Sequence, residues 1–333
     1  MISVVIPTFN VGKYIGEAIE SVLQQTYEDW ELIIVDDCST DNTAEIVESY
    51  QQRCDKIRFI KRRINSGGAR KPRYDGILAA QGEYVSHIDG DDFIDKHYLE
   101  KMLATKRNTQ ADLVLSKLVY CNEKGILDTR QIPNKEFDFN TILSGESACG
   151  MTIGSWQLNM AGLLADTSFY QNFVKRVYDD DCDSCFNDEL DYRKLLLSVS
   201  TVAFSSTQYY YRQHEMSVVH LPLSQFVDRL NQVMPLYAFI TANIHDETII
   251  RKMKDNFLQS LYLAESTYLE HKSSMDKTQR HLAQTKIRKA YSFLQANNID
   301  GVGLKFYLIS KHYYLLVILS QLRVCYSKIK SSF

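Results

Sequence analysis

No run in the 333-residue chain reaches the roughly 18 uninterrupted apolar residues of a membrane-spanning helix, so a bilayer-crossing segment is not expected. A secretory leader is not expected either, because Met1 runs straight into the strand-like ISVVIPT instead of a basic segment and an apolar one. Charge of one sign is scarce. With 38 Lys and Arg against 41 Asp and Glu, the net charge is -3, without the basic surplus of a nucleic-acid binder, and nucleic acid is disfavoured as a partner. The seven cysteines are odd in number and scattered, which does not suit a disulfide framework and places the chain in the reducing cytoplasm. Cys182 and Cys185, in CDSC, lack a second pair at metal-ligand spacing and are read as incidental. Internal repeats and low-complexity tracts are absent too.

What is present suits a soluble globular protein with a proper core. The chain is 45% hydrophobic and 24% charged, and its length accommodates a catalytic domain with a smaller appendage. The runs ISVVIPTFN (2–10), WELIIVDDCS (30–39), KIRFIKR (56–62) and GEYVSHID (82–89) are short, rich in Val and Ile, and end in polar residues, as buried strands do. Between them, 13–26, 40–53 and 74–81 carry helical apolar spacing, with Thr40 or Asp41 available as a cap. This alternation predicts βαβ units and a Rossmann-like, mostly parallel sheet flanked by helices. In such sheets ligands sit at the carboxyl ends of the strands, so Thr8, Asp37 and the carboxylates at 89–92 are expected to line one crevice.

A helix near 95–108 and a strand near 111–120 follow, and then a loop-rich stretch to about 155 is expected over the crevice. A boundary near 215–222 divides a catalytic domain, 1–220, into a 1–120 donor half and a 121–220 acceptor half, and leaves a mainly helical region, 221–333. Its tail, 304–330, mixes apolar and aromatic residues with Lys305, Lys311, Arg323, Lys328 and Lys330. Two readings stand side by side: a helix lying at a membrane surface, or a terminal helix packed on the core.

The stretch SHIDGDDFID gathers Asp89, Asp91 and Asp92 at a strand end beside Gly90. Like charges so close are unfavourable unless a cation or donors offset them, and carboxylate oxygens suit Mg²⁺ or Mn²⁺ bridging phosphate oxygens. Asp92 and Asp95 also serve the start of the helix at KHYLEKML. A D-x-D alone is weak; its place in the order of elements strengthens it.

Taken in order, SVVIPTFNVGKYIGEAIESVLQQTYEDWELIIVDDCSTDNTAEIV and GEYVSHIDGDDF resemble the N-terminal signature of family-2 glycosyltransferases, inverting GT-A enzymes that use nucleotide-diphosphate sugars. The resemblance is strong over roughly 1–120 and looser over 150–220. It implies that Pro7, Thr8, Asp36 and Asp37 hold the base and ribose, and that Arg73 occupies the family's arginine position. At that point NSGGARKPRYDG carries Tyr74 where the family has asparagine, and adds Arg70 and Lys71. By the same resemblance Asp89 contacts the ribose, while Asp91, with Asp92 next in line, ligates Mn²⁺ or Mg²⁺ on the diphosphate. The family's base is the aspartate of an E-D pair before a helix. In CFNDELDYRKLLLSVS, Asn187 stands in for the glutamate, Asp188 aligns with the base and Glu189 is the fallback. Read alone, both acids also suit a helix N-terminus. Trp156 aligns with an acceptor-floor tryptophan, and in QYYYRQHEMS Arg212 and His214 are assigned to the diphosphate and the metal.

The implied activity is inverting, metal-assisted single displacement from a nucleotide-sugar donor, most simply a UDP-sugar, to a hydroxyl of a surface-polysaccharide or lipid-linked glycan. Two alternatives remain. A nucleotidyltransferase would carry a Gly-rich basic loop after the first strand, where PTFNVGKYI stands; the substituted asparagine keeps open a nucleotide-sugar-binding module impaired in catalysis.

Overall fold

The computed structural model describes residues 1–155, 157–179, 187–214, 224–300 and 309–330, with the backbone alone at 187–188, 224–226, 228 and 325–330. Cys182, Cys185 and Trp156 therefore lie outside the described residues. The chain divides into two compact units, one of residues 1–152 and 156–215, the other of 153–155 and 216–333.

The first unit opens with the alternation that its apolar runs dictate. Strands β1 (Ile2–Thr8) and β2 (Trp30–Asp36) are buried at every position, as continuous Val and Ile runs require of parallel strands covered on both faces. Between them α1 (Ile15–Leu23) buries Ile15, Ala18, Ile19 and Val22, the spacing of one helix face. Helix α2 (Thr43–Gln51) leads to β3 (Ile57–Lys61), and α3 (Arg70–Ala79) to β4 (Tyr84–His87). Asn42 is the residue before α2, and Asp41 Oδ1 accepts the Thr43 N–H at 3.0 Å. Helix α3 begins four residues before the apolar spacing signals it, because its first turn is basic. Gly76 lets it lie against the sheet; a Cβ there would overlap Val5.

Then follow β5 (Phe93–Ile94), α4 (Tyr98–Thr109), β6 (Leu113–Cys121), β7 (Leu127–Ile132), β8 (Leu143–Ser144), α5 (Gly145–Met151), β9 (Leu164–Asp166), α6 (Thr167–Val177), α7 (Asn187–Leu197) and β10 (Thr201–Arg212). The sheet order is β3-β2-β1-β4-β9-β6-β10-β5, with β7 on β6 and β8 on β10. It is parallel from β3 to β4 and again between β6 and β10, while β9 runs antiparallel between β4 and β6. The expectation of loop from 121 to 155 is corrected: β6 and β7 form a hairpin, and α5 is capped by the Ser144 side chain. β7 has no fully buried residue, so no apolar alternation announced it.

The second unit contains α8 (Ser224–Asn243), α9 (Glu247–His271), α10 (Lys277–Ala296) and α11 (Tyr313–Lys330). Tyr237, Phe257 and Phe293 form its aromatic centre, with ring centroids 5.6–6.0 Å apart. An aspartate capping box, Asp276 with Gln279, starts α10. On α11, Leu316 and Ser320 are buried at four-residue spacing, and the Tyr262 hydroxyl donates to Leu319 O at 3.2 Å. This face packs within the unit. Tyr314, Ile318 and Leu322 recur at the same spacing on the other face and are exposed. Among the described residues no helix is long and apolar enough to cross a membrane.

Candidate active site

The carboxyl ends of β1, β2 and β4 meet, as parallel neighbours must. Thr8 is buried at the end of β1, its hydroxyl 3.3 Å from Asp36 Oδ1, and Pro7 precedes it. Asp36 also accepts the Ser39 N–H at 3.0 Å. Asp37 donates its N–H to Thr8 O at 2.9 Å, while its Oδ2 accepts the Ser66 N–H and hydroxyl at 2.9 and 2.8 Å. Arg62 Nε lies 2.9 Å from Asp37 Oδ1. Asn10 and Cys38, just beyond β1 and β2, hold φ of 53° and 66°. Such left-handed positions are uncommon for non-glycine residues and cluster at functional sites.

The acidic turn follows β4. Gly90 sits so close to β1 that a Cβ would stand 3.1 Å from Pro7 O. Asp89 accepts a hydrogen bond from Arg73 Nη2 at 2.9 Å. Burial raises the proton affinity of Asp89, and the Arg73 guanidinium outweighs it and holds the carboxyl below the usual range. Of the three cations that the sequence offers, Arg73 is the one that meets this turn; Arg70 turns to Asp191, and Lys71 is exposed. Beneath Arg73, His87 is pushed down to about 3 by burial and then by the Arg73 charge, so its ring is neutral. The Tyr192 hydroxyl lies 3.0 Å from its Nε2.

Asp91 and His214 meet, with Oδ2 and Nε2 2.9 Å apart. The His214 ring stacks on Tyr14 at 4.8 Å and 30°, and the Tyr14 hydroxyl donates to Glu123 at 2.9 Å. Arg212 is occupied by the chain itself: Nε donates to Asp91 O at 2.9 Å, Nη1 to Glu123 O at 2.7 Å, and Nη2 to Glu17 at 2.6 Å. It is 2% exposed. The guanidinium thus clamps the acidic turn to α1 and to the β6–β7 hairpin.

Asp92 departs from its expected share in starting α4. The residue before α4 is His97, which offers no side-chain cap. Asp92 instead turns inward, accepting from the Tyr209 hydroxyl at 2.7 Å and from the Arg212 N–H at 2.8 Å. Burial, and then the Asp91 and Asp89 charges, raise its proton affinity well above the ordinary carboxylate range. Tyr209 also accepts the Asp89 N–H at 3.0 Å, so one phenol oxygen holds both sides of the turn. Its place in QYYYRQH was readable from the sequence; this task was not, because the partners lie 117 and 120 residues away.

At the other side of the site, α7 carries the two base candidates in its first turn. The Asp188 side chain lies outside the described residues. Glu189 is partly exposed, with Oε2 3.4 Å from Arg193 Nη1. Arg193, 2% exposed, also donates to Thr152 O at 2.7 Å.

Among the described residues, no cluster of three His, Cys, Asp or Glu side chains stands at metal-binding spacing. The residues present nonetheless fit a divalent cation whose remaining ligands come from phosphate and water. Asp91 and His214 converge as an oxygen and nitrogen pair, and the buried Asp92 follows Asp91 in the same turn.

A parallel half-sheet that gathers a diacid at the end of β2 and a D-x-D turn after β4, on either side of β1, is the arrangement of a GT-A glycosyltransferase. Comparison with known proteins goes one step further: residues 3–166 match the model for glycosyl transferase family 2, and the chain belongs to that family. It is 28% identical over 223 residues to the glycosyltransferase GlyG of Streptococcus pneumoniae, covering 66% of this chain and 73% of that one. It is 31% identical over 241 residues to the poly(ribitol-phosphate) beta-glucosyltransferase of Bacillus spizizenii, covering 70% of this chain but 36% of that one. A crystal structure of S. aureus TarS 1–349 in complex with UDP-GlcNAc superposes with a TM-score of 0.69 at 21% identity, over 99% of this chain and 92% of that one. At that identity the likeness is one of fold.

Proposed function

We propose that this glycosyltransferase moves a sugar from a UDP-linked donor to a hydroxyl of a cell-surface polymer or lipid-linked glycan, with inversion at the anomeric carbon. The observation that carries the reading is that Asp36 and Asp37 at the end of β2, and Asp89 and Asp91 with His214 beyond β4, flank the end of β1 on its two sides. Relatives whose names specify poly(ribitol-phosphate) as acceptor, and a structural neighbour holding UDP-GlcNAc, support it.

In this reading Pro7, Thr8, Asp36 and Asp37 receive base and ribose, and Arg73 keeps Asp89 ionised for the ribose hydroxyls. Asp91 and His214, with Asp92 behind them, would hold Mn²⁺ or Mg²⁺, which neutralises the charge developing on the departing diphosphate. Arg212 positions that turn rather than touching the donor. Asp188, with Glu189 as fallback, takes the proton from the acceptor hydroxyl, and Trp156 is assigned to the acceptor sugar by resemblance alone.

Turnover of a UDP-sugar panel with Mn²⁺ tests this. Asp91→Ala and His214→Ala are expected to weaken Mn²⁺ binding by calorimetry and to abolish turnover; full turnover in Asp91→Ala would remove the metal assignment. A chain that binds UDP-sugars yet never turns them over would be the impaired binding module instead.

The exposed Tyr314, Ile318 and Leu322 stripe on α11, with Lys311 and Arg323 nearby, supports peripheral attachment at the cytoplasmic membrane face. The double substitution Ile318→Asp, Leu322→Asp in the full chain is expected to abolish flotation with anionic liposomes. Unchanged flotation would discard the attachment.

A further inference from the structure

Helix α3 presents Arg70, Arg73 and Tyr74 at the three- and four-residue spacing that puts side chains on one face. Arg73 serves the donor side, on Asp89. Arg70 and Tyr74 reach the other way and share a single atom: Asp191 Oδ2 lies 2.5 Å from Arg70 Nε and 2.7 Å from the Tyr74 hydroxyl. All three are buried, at 8%, 4% and 5% exposure for Arg70, Tyr74 and Asp191. Asp191 belongs to α7, one turn beyond Asp188 and two residues beyond Glu189. Lys194 Nζ stands 3.7 Å from its second oxygen.

The same helix face holds the chain on the far side of α7. Arg70 also donates to Val177 O and, at 3.4 Å, to Tyr178 O at the end of α6. The Tyr178 hydroxyl donates to Asp75 at 2.5 Å, and Asp75 pairs with Arg62, the partner of Asp37. Both ends of the segment between α6 and α7 are therefore referred to α3, which is also tied to both donor-side acids.

A buried ion pair is weak evidence for stability, since desolvation offsets much of its attraction, and fixing register is its best-attested use. Tyr74 stands where the family signature has asparagine, so this contact comes from a departure in the present sequence. We infer that Asp191 is a positioning residue: gripped by Arg70 and Tyr74, it fixes the depth and rotation of the first turn of α7, and with it the base, against the donor pocket. The inference rests on the reading that the base lies on α7. Displacing a base by about an ångström costs on the order of a hundredfold in rate without affecting the donor's own contacts.

The test compares Asp191→Asn and Tyr74→Phe with Asp188→Asn and Glu189→Gln, using Mn²⁺, a turned-over UDP-sugar and its acceptor. Asp191→Asn is expected to lower kcat about 10- to 100-fold, with UDP affinity by calorimetry and donor KM within about twofold of wild type. Tyr74→Phe, which keeps the ion pair, is expected to lower kcat several-fold with the same split. If Asp191→Asn fails to fold, Tyr74→Phe decides alone, and wild-type kcat there overturns the inference. A parallel loss of UDP affinity and kcat, or a lowered Tm with wild-type kcat, would make the cluster merely structural. If transfer survives both Asp188→Asn and Glu189→Gln, the base is not on α7 and the underlying reading falls. If either abolishes transfer while Asp191→Asn keeps wild-type kcat, this inference falls alone.

Discussion

Replacing Tyr209 by phenylalanine removes one oxygen atom and two hydrogen bonds, one buried and one partly buried. The phenol donates to Asp92 at 2.7 Å and accepts the Asp89 N–H at 3.0 Å, in a residue that is 0% exposed. Leaving a buried amide N–H without a partner costs about 1–3 kcal/mol, and a hydrogen bond to a charged group contributes about 1.5–3 kcal/mol. Asp92 has a partial escape, because burial and the neighbouring Asp91 and Asp89 already favour its protonated form. The expected loss is therefore about 3 kcal/mol, toward the lower end of the sum. For a unit of this size that lowers Tm by about 6–12 °C. Asp91 stands between the two released anchors, so Mn²⁺ affinity is expected to fall in the same variant. Urea and thermal unfolding at pH 7, with Mn²⁺ titration by electron paramagnetic resonance, measure both. A Tm shift below about 2 °C with unchanged Mn²⁺ binding would refute the assignment of Tyr209 as the anchor of this turn.

Arg212→Lys keeps the charge but cannot serve Asp91 O, Glu123 O and Glu17 together; a loss of about 2–4 kcal/mol is expected in chemical denaturation. Gly76→Ala drives a methyl into Val5 and is expected to cost about 1–3 kcal/mol, read from the same curves. Glu265, 3% exposed on α9, is raised by burial to about 7 from 4.5, with Tyr313, Lys272 and Arg288 only partly opposing. Because the folded state holds this proton more tightly, the associated stability is full below pH 4.5 and is lost as pH rises through about 7. That amounts to about 3 kcal/mol, so Glu265→Gln is expected to be the more stable protein at pH 8 and to lose the advantage near pH 4.5. Denaturation of both proteins at the two pH values checks the sign.

The portion of this fold that its sequence discloses is the portion built from neighbours. β1 to β4 alternate with helices whose apolar spacing is local, and the acids at the ends of β2 and β4 follow from element order alone. The hairpin β6–β7 stayed hidden because the polar face of β7 carries no alternation. β9 is three residues long, too short for any period to register. At the site, Asp89, Asp91 and Arg73 were legible as motif positions, whereas the tasks of Asp92, Arg212 and Asp191 were not. Each of these is defined by partners more than a hundred residues away, and composition at one position says little about a partner so distant. A charged residue in a crevice motif is easily assigned to the ligand, and here the Arg212 guanidinium is engaged by Asp91 O, Glu123 O and Glu17.

The placement of β9 gives the sheet a calendar. β3, β2, β1 and β4 are complete once residue 87 has been made, but the strand that joins β4 to β6 arrives only with residues 164–166. During synthesis the flank of β4 that β9 later covers waits as an open strand edge, the kind of edge that pairs with other chains. A nascent chain stalled between those two points is the form of this protein most exposed to aggregation, and β9, only three residues long, is the element that ends that interval.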